Sequence, residues 1–330
     1  MKKIIYPSTK VERNVPKNLK NNHLLLFSHE IQKTISESYI FKKKNIYYFN
    51  SIIISLIFPN YFNKYTFFGD KTFIERMKRI VKSFLSSEKK IEHIDKGIWF
   101  TDHKSHVYFH WILDSLQRAE MSIDFNDEFP FLVPEELFKI SFVNESLDFL
   151  GLRYKVLKSD QLYKIDNLLI TSKTADESGN YNTVILNKLI KRFKENTKFI
   201  EVKPTKNYFI IRQEKDGRIV DNFESLKKVL NKYNFELLRF EEYTFHEKIN
   251  LMNECKNLMG IFGSGLTNMI FLNHESNVIE IREKKDRHNN AFFSLSSSAG
   301  LNYYYEFFEF NDKGLFVDPA GLDKLLKSLK

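Results

Sequence analysis

The stretch Lys256–Ile281, KNLMGIFGSGLTNMIFLNHESNVIEI, decides how this chain is read. Leu258 to Phe262 is a compact apolar run with the length of a buried strand. Gly263 and Gly265 flank Ser264, so the backbone there can take positive φ and let a ligand approach closely. Leu266, Met269 and Ile270 come next at helical spacing, so a helix is expected to open at the turn. The first N–H groups of such a helix, with its positive dipole end, make an anion site. A plain strand-to-helix turn without a ligand is the equal alternative. Val278 to Ile281 is the next strand and ends near the acidic Glu280.

Rival motifs fail on this stretch. A nucleophile elbow needs Gly two residues before the serine, where Phe262 stands. A dinucleotide fingerprint needs a third glycine, where Asn268 stands, and a P-loop needs a closing Gly-Lys-Ser/Thr.

Working outward, alternating strand and helix signals surround the turn. In the C-terminal part of the chain, Tyr208 to Ile211 is a strand, Asn222 to Tyr233 a helix and Phe235 to Phe240 a strand. Thr244 to Cys255 is a helix opened by a Thr244–Glu247 capping box. Ala291 to Ala299 and Ala320 to Leu329 are helices around a strand at Tyr303 to Phe308. The charged run Arg282 to Arg287 reads as a solvated loop. Thr197 to Lys206, with Pro204 and no apolar period, is the expected linker.

Before it, strands at Gly97 to Thr101, Phe129 to Val133, Tyr154 to Leu157 and Leu168 to Thr171 alternate with helices. Those helices are expected at His106 to Met121, Glu135 to Leu150 and Thr183 to Asn196. This rhythm predicts an α/β layer with a mostly parallel sheet. Residues 1 to about 90 are the least legible. A strand is expected at Ile46 to Phe58 and a helix at Lys71 to Leu85.

Composition bounds the function classes. With 330 residues the chain is long enough for two domains. Its 42% hydrophobic and 28% charged residues are those of a globular protein. The single cysteine, Cys255, excludes a disulfide framework and a cysteine metal site, and reads as a core residue near a helix end. The net charge of +9 would suit an anionic partner, yet Lys, Asn, Ile and Phe are overused throughout and no basic–aromatic recognition motif supports nucleic acid. The longest apolar run falls far short of the roughly 20 residues of a spanning helix. A cytoplasmic protein is expected, able to rest peripherally on the anionic inner face of the cell membrane.

A second cluster carries chemistry: Asp102, His103, His106, His110 and Asp114 in TDHKSHVYFHWILDSLQR. In a continuous helix His106, His110 and Asp114 share one face, but the first and last lie about 12 Å apart, too far for one ion. No metal is therefore assigned. Either the helix packs Trp111, Ile112 and Leu116 inward with incidental histidines, or His110 and Asp114 form a general-base pair for a hydroxyl. Two single residues complete the set. Arg212 comes just after a strand end, where an arginine can fork onto phosphate, and Glu280 could accept ribose hydroxyls. Each is otherwise an ordinary surface or edge residue.

These blocks, in this order, resemble the glycosyltransferase 61 family (the DUF563 group), and in particular its bacterial capsule and surface-glycan branch. HVYFHWILDSLQR is similar to a family stretch through Tyr108, His110, Trp111, Asp114 and Arg118. NYFIIRQ is similar to a strand ending in Arg212, and GIFGSGLTNMIFL to the family's glycine segment. Phe262 stands where that segment has a histidine.

The resemblance implies a GT-B fold: two Rossmann-like domains facing a central cleft. Residues 1–200 would form the acceptor side. Residues 201–330 would bind the nucleotide sugar, with the last helix able to pack back on the N-terminal domain. It implies inverting transfer from a nucleotide sugar, UDP-linked by preference, to a hydroxyl of a glycan or lipid-linked glycan in capsule or lipopolysaccharide synthesis. No cofactor or divalent metal is implied. Asp114 with His110 would be catalytic. Arg212, Gly263, Ser264, Gly265, Leu266, Thr267, Asn268 and Glu280 would bind the donor. The alternative is a non-catalytic nucleotide-sugar or glycan-binding protein on a degenerate transferase fold, and Phe262 is the residue that favours it.

Overall fold

The computed structural model describes residues 2–49, 52–55, 78, 82, 90–197, 202–211, 220–284, 290–312 and 314–329. All but two residues of the expected helix at 71–85, residues 212–219 with Arg212, and residues 198–201 of the expected linker lie outside them. Two compact units divide the chain. One joins Met1–Thr9 to Ser36–Asp176, and the other joins Lys10–Ile35 to Glu177–Lys330. The division thus falls at 176/177 instead of the expected 200/201, and an N-terminal segment belongs with the C-terminal unit. The fold is mixed α/β.

The second unit holds a six-stranded sheet. Its order is Phe235–Leu238, Lys206–Ile210, Cys255–Ile261, Asn277–Glu283, Asn302–Asn311, Gly314–Val317. The first five strands run parallel and the last is antiparallel. In chain order the parallel strands read 2-1-3-4-5, a doubly wound arrangement whose order reverses between Lys206–Ile210 and Cys255–Ile261. Period-two alternation sends Met259, Ile261, Ile279 and Ile281 to one face. There they bury Leu226 and Leu230 of the helix Phe223–Lys232, and Leu322, Leu325 and Leu326 of the helix Pro319–Ser328. The last helix packs on this sheet, where its leucines at i, i+3 and i+4 complete that face.

On the opposite face, Phe27 of the helix Leu24–Ile31 and Phe293 of the helix Ala291–Ser298 bury against Tyr303 and Tyr305. Each such aromatic contributes roughly 1.5–3 kcal/mol on burial. This anchors a segment that sequence periodicity left unassigned. Arg13 adds a buried strut, bonding Glu30 at 2.8 Å and Asn180 at 2.8 Å. The helix Thr183–Asn196 is capped by Asn182, whose side chain accepts from Val184 and Ile185.

The Thr244–Glu247 capping box forms as expected, but its helix ends at Asn253 and Cys255 begins the next strand. Burial pushes the Cys255 thiol well above its ordinary value, so it stays an unreactive core side chain.

In the first unit the four strands expected between residues 91 and 171 form the parallel part of a larger, mixed sheet. Tyr163–Thr171, Glu92–Trp99, Phe131–Pro134 and Tyr154–Leu157 are parallel neighbours. Lys2–Tyr6, Ser38–Phe49 and Ile52–Ser55 extend the same sheet antiparallel. The expected single strand from Ile46 is instead a hairpin, with Phe49 opposite Ile52, and residues 56–58 lie outside the described set.

Candidate active site

In the second unit, the strand Cys255–Ile261 runs directly into the glycine turn. Its partner at the reversal of strand order is Lys206–Ile210, with Gly260 beside Ile210. Open α/β sheets take ligands at the carboxyl ends of strands flanking this reversal, and the turn occupies that place.

The turn's geometry differs from expectation in two respects. Gly263 has φ 163°, extended backbone open to any residue, so positive φ is not what the glycines supply. The helix that opens at the turn, Ser264–Phe271, is wound as 3-10 instead of α. Gly265 is required by proximity: a Cβ there would stand 2.9 Å from the Ile210 Cγ2 methyl. The first rung runs from the Leu266 N–H to the Gly263 carbonyl at 3.0 Å. The N–H groups of Ser264 and Gly265 precede that rung, which is the position from which helix starts bind anions.

The other expected donor residues divide by burial. Ser264 and Gly265 are half-exposed, whereas Gly263, Leu266, Thr267 and Asn268 are buried. Asn268 donates to the Gly265 carbonyl at 2.9 Å and so holds the turn from inside. Thr267 is fully buried, its hydroxyl without a hydrogen-bond partner among the described residues. Phe262 is half-exposed at the turn's mouth and meets Phe292 edge to face at 5.5 Å.

Glu280 lies in the middle of the strand Asn277–Glu283, not at its end, and is fully buried. Tyr303 donates its hydroxyl to Glu280 at 2.5 Å. Burial, and then the charge of Glu280, hold the Tyr303 phenol well above its ordinary value, so it remains the donor. Arg282 is also buried, in the strand and not in a solvated loop as its charged neighbours suggested. Alternation places it on the face of Glu280, where it donates to Asn290 at 2.7 Å and stacks over Phe27 at 5.1 Å. Arg212, and the rest of that charged run from Lys285 to Arg287, lie outside the described residues.

In the first unit, the strand Glu92–Trp99 leads through a short loop into a helical segment. That segment is α at Tyr108–His110, π at Trp111–Ser115 and α again at Leu116–Met121. The π turn shows in the Leu116 N–H, which reaches back five residues to Trp111. Val107 is the extended residue before the helix, so His106 falls outside it and faces solvent. The expected His106–His110–Asp114 stripe is therefore broken at its first member. His110 and Asp114 do meet, Nδ1 to Oδ2 at 2.7 Å, both about a fifth exposed. No group of three His, Cys, Asp or Glu side chains is placed to hold a metal ion among the described residues.

Buried polar contacts fix this segment. Trp111 donates to Ser146 at 2.8 Å, and the Ser105 and Ser115 hydroxyls meet at 2.8 Å. Arg118 is 1% exposed. It donates to the hydroxyl and carbonyl of Thr171, each at 3.0 Å, and stands 3.7 Å from Asp102.

A model of the family Glycosyltransferase 61 matches residues 108–279, just over half of the chain. The chain belongs to the Glycosyltransferase 61 family. It is a glycosyltransferase, with a sugar donor and a glycan acceptor as its substrates. No curated protein matches the chain. The family match opens at Tyr108, the first residue of the π-containing helical segment. It takes in the whole glycine turn and stops one residue short of Glu280.

The glycosyltransferase's supporting residues are those that sequence reasoning missed. Arg118 stood in the matched block without a role, and Tyr303, Arg282 and Asn290 stood outside it. One signal was present for Arg118. It lies four residues after Asp114, on a segment whose other positions are largely apolar.

The packing of Gly265 yields a direct expectation. Gly265→Ala should destabilise the protein by about 1–3 kcal/mol, because the Ile210 methyl sits on a stiff β-branched side chain. Denaturant unfolding measures this, and an unchanged midpoint would remove the close contact from the account.

Proposed function

We propose that this glycosyltransferase is an inverting, GT-B-type enzyme of surface polysaccharide synthesis, capsule or lipopolysaccharide. The observation that carries the reading is the glycine turn at the reversal of strand order. Its Ser264 and Gly265 N–H groups lie ahead of the first helical rung. In this reading they hold the pyrophosphate of a nucleotide-sugar donor, UDP-linked by preference, with Arg212 forking onto the same oxygens. Gly263, Leu266, Thr267 and Asn268 shape the turn from inside. Glu280 acts as a donor-side residue from the buried strand beside it.

The chemistry assigned to the first unit is proton removal. An acceptor hydroxyl attacks the anomeric carbon and its proton passes to Asp114, which His110 orients. The bond from that carbon to the diphosphate oxygen breaks, and the nucleoside diphosphate leaves with the electron pair. In this reading the growing negative charge meets the turn's N–H groups and the Arg212 guanidinium, so the step as read needs no divalent metal. The acceptor is a glycan or lipid-linked glycan, encountered in the cytoplasm or at the inner membrane face. No helix among the described residues is long and apolar enough to cross a membrane.

A second reading has one residue in its favour. Phe262 packs on Phe292 and offers no side-chain hydrogen bond at the mouth of the turn, which suits a protein that binds a nucleotide sugar without transferring it. Turnover separates the two.

Asp114→Asn should lower turnover by about a hundredfold or more with donor affinity retained. Unchanged turnover would remove Asp114 from the base role. Arg212→Ala should weaken donor binding by about tenfold or more in calorimetry, and equal affinity would count against its phosphate contact. A wild-type protein that binds donors but neither transfers nor hydrolyses them would favour the second reading.

A further inference from the structure

A cavity in the second unit takes no part in the chemistry above. It has a volume of about 780 Å³, within the roughly 300–1,000 Å³ of small-molecule sites. Its walls are the helix Thr183–Asn196 and the C-terminal ends of the 3-10 helix and of the helix Ala291–Ser298. His274 and Gly300 lie just before the strands Asn277–Glu283 and Asn302–Asn311. The cavity therefore opens at the N-terminal edge of the parallel sheet, whereas the glycine turn lies past a strand's C-terminal end. The 3-10 helix between them spans about 16 Å, at about 2.0 Å rise for its eight residues.

The lining has a definite chemistry. Ile190, Ile270 and Leu272 give it an apolar floor. Asn187, Lys191 and Lys194 stand at i, i+4 and i+7 of one helix, so an amide and two ammonium groups share the face that borders the cavity. Glu195 also borders it and pairs with Lys191 at 3.6 Å. Both side chains are more than half exposed, and a surface ion pair of this kind holds its partners weakly. The last wall is built by a backbone constraint. Gly300 has φ +71°, and a Cβ there would fall 2.5 Å from the His274 ring, so the imidazole lies on bare glycine.

We propose that this cavity binds an acidic segment of a glycan, sugar rings carrying a carboxylate, away from the transfer chemistry. The C–H faces of the rings lie on the aliphatic floor. Ring hydroxyls meet the Asn187 amide and the His274 imidazole, and the carboxylate meets Lys191 and Lys194. The site would hold a growing acidic polymer on the enzyme between additions. The inference rests on the glycan acceptor of the family, and not on the inverting mechanism or on the roles of Asp114 and Arg212.

The test is calorimetric titration of the intact protein and its K191E/K194E variant with three probes: trigalacturonate, uncharged maltotriose and inorganic phosphate. Trigalacturonate should bind wild type at least tenfold more tightly than maltotriose and at least tenfold more tightly than it binds the variant. Nucleotide-sugar binding and the unfolding midpoint should be the same in both proteins. Failure of wild type to bind trigalacturonate, equal affinity in the variant, equal affinity for maltotriose, or equal competition by phosphate would each overturn the proposal. Loss of nucleotide-sugar binding in both proteins, with trigalacturonate still selective for wild type, would sink the donor assignment and leave this one standing.

Discussion

The second unit depends on one close approach. The chain leaving Cys255–Ile261 turns so tightly against Lys206–Ile210 that only glycine fits beside Ile210. That contact seats the turn at the reversal of strand order, where the sheet leaves a crevice. It also fixes the direction of the 3-10 helix, and with it the direction of the N–H groups that start it. An anion site made of backbone needs no charged side chain, but it needs its peptide groups held still. The Asn268 bond to the Gly265 carbonyl and the buried Leu266 and Thr267 supply that stiffness.

Buried charge does comparable work behind both candidate sites. Arg118 ties the π-containing segment to the end of the strand Tyr163–Thr171 through contacts closed off from water. Glu280, Tyr303, Arg282 and Asn290 make a second buried set on the sheet face under the helix Ala291–Ser298. Removing one partner of such a set leaves an uncompensated charge, which typically costs about 3–5 kcal/mol. The two carboxylates therefore differ in kind. Asp114 is about a fifth exposed and paired to His110, while Glu280 is fully buried and bonded to Tyr303.

Much of this was legible in the sequence, for identifiable reasons. Apolar runs bounded by turn residues located the parallel strands, and Thr244 with Glu247 spelled a capping box that forms as written. The pairing of His110 with Asp114 came from i, i+4 spacing alone. Other features carry no local signature. The π turn at Trp111–Ser115 contains neither glycine nor proline, and Val107, the extended residue that leaves His106 outside the helix, is no capping residue that would mark the start. The 3-10 winding of Ser264–Phe271 has the same apolar residues an α-helix would have. Arg282 looked solvated because its successors are charged, yet strand alternation buries it. The place of Lys10–Ile35 in the second unit is a tertiary fact, carried by Phe27 and Arg13 against residues more than 150 positions away.

The central claim is that backbone N–H groups of the glycine turn hold the donor's phosphates. Amide chemical shifts of the isotope-labelled protein, titrated with uridine, guanosine and cytidine diphosphates, test it most directly. The account predicts that the diphosphate that binds shifts the Ser264 and Gly265 amides most strongly and slows their hydrogen exchange. Those two amides remaining unmoved, with no diphosphate bound or with the shifts centred elsewhere, would contradict it.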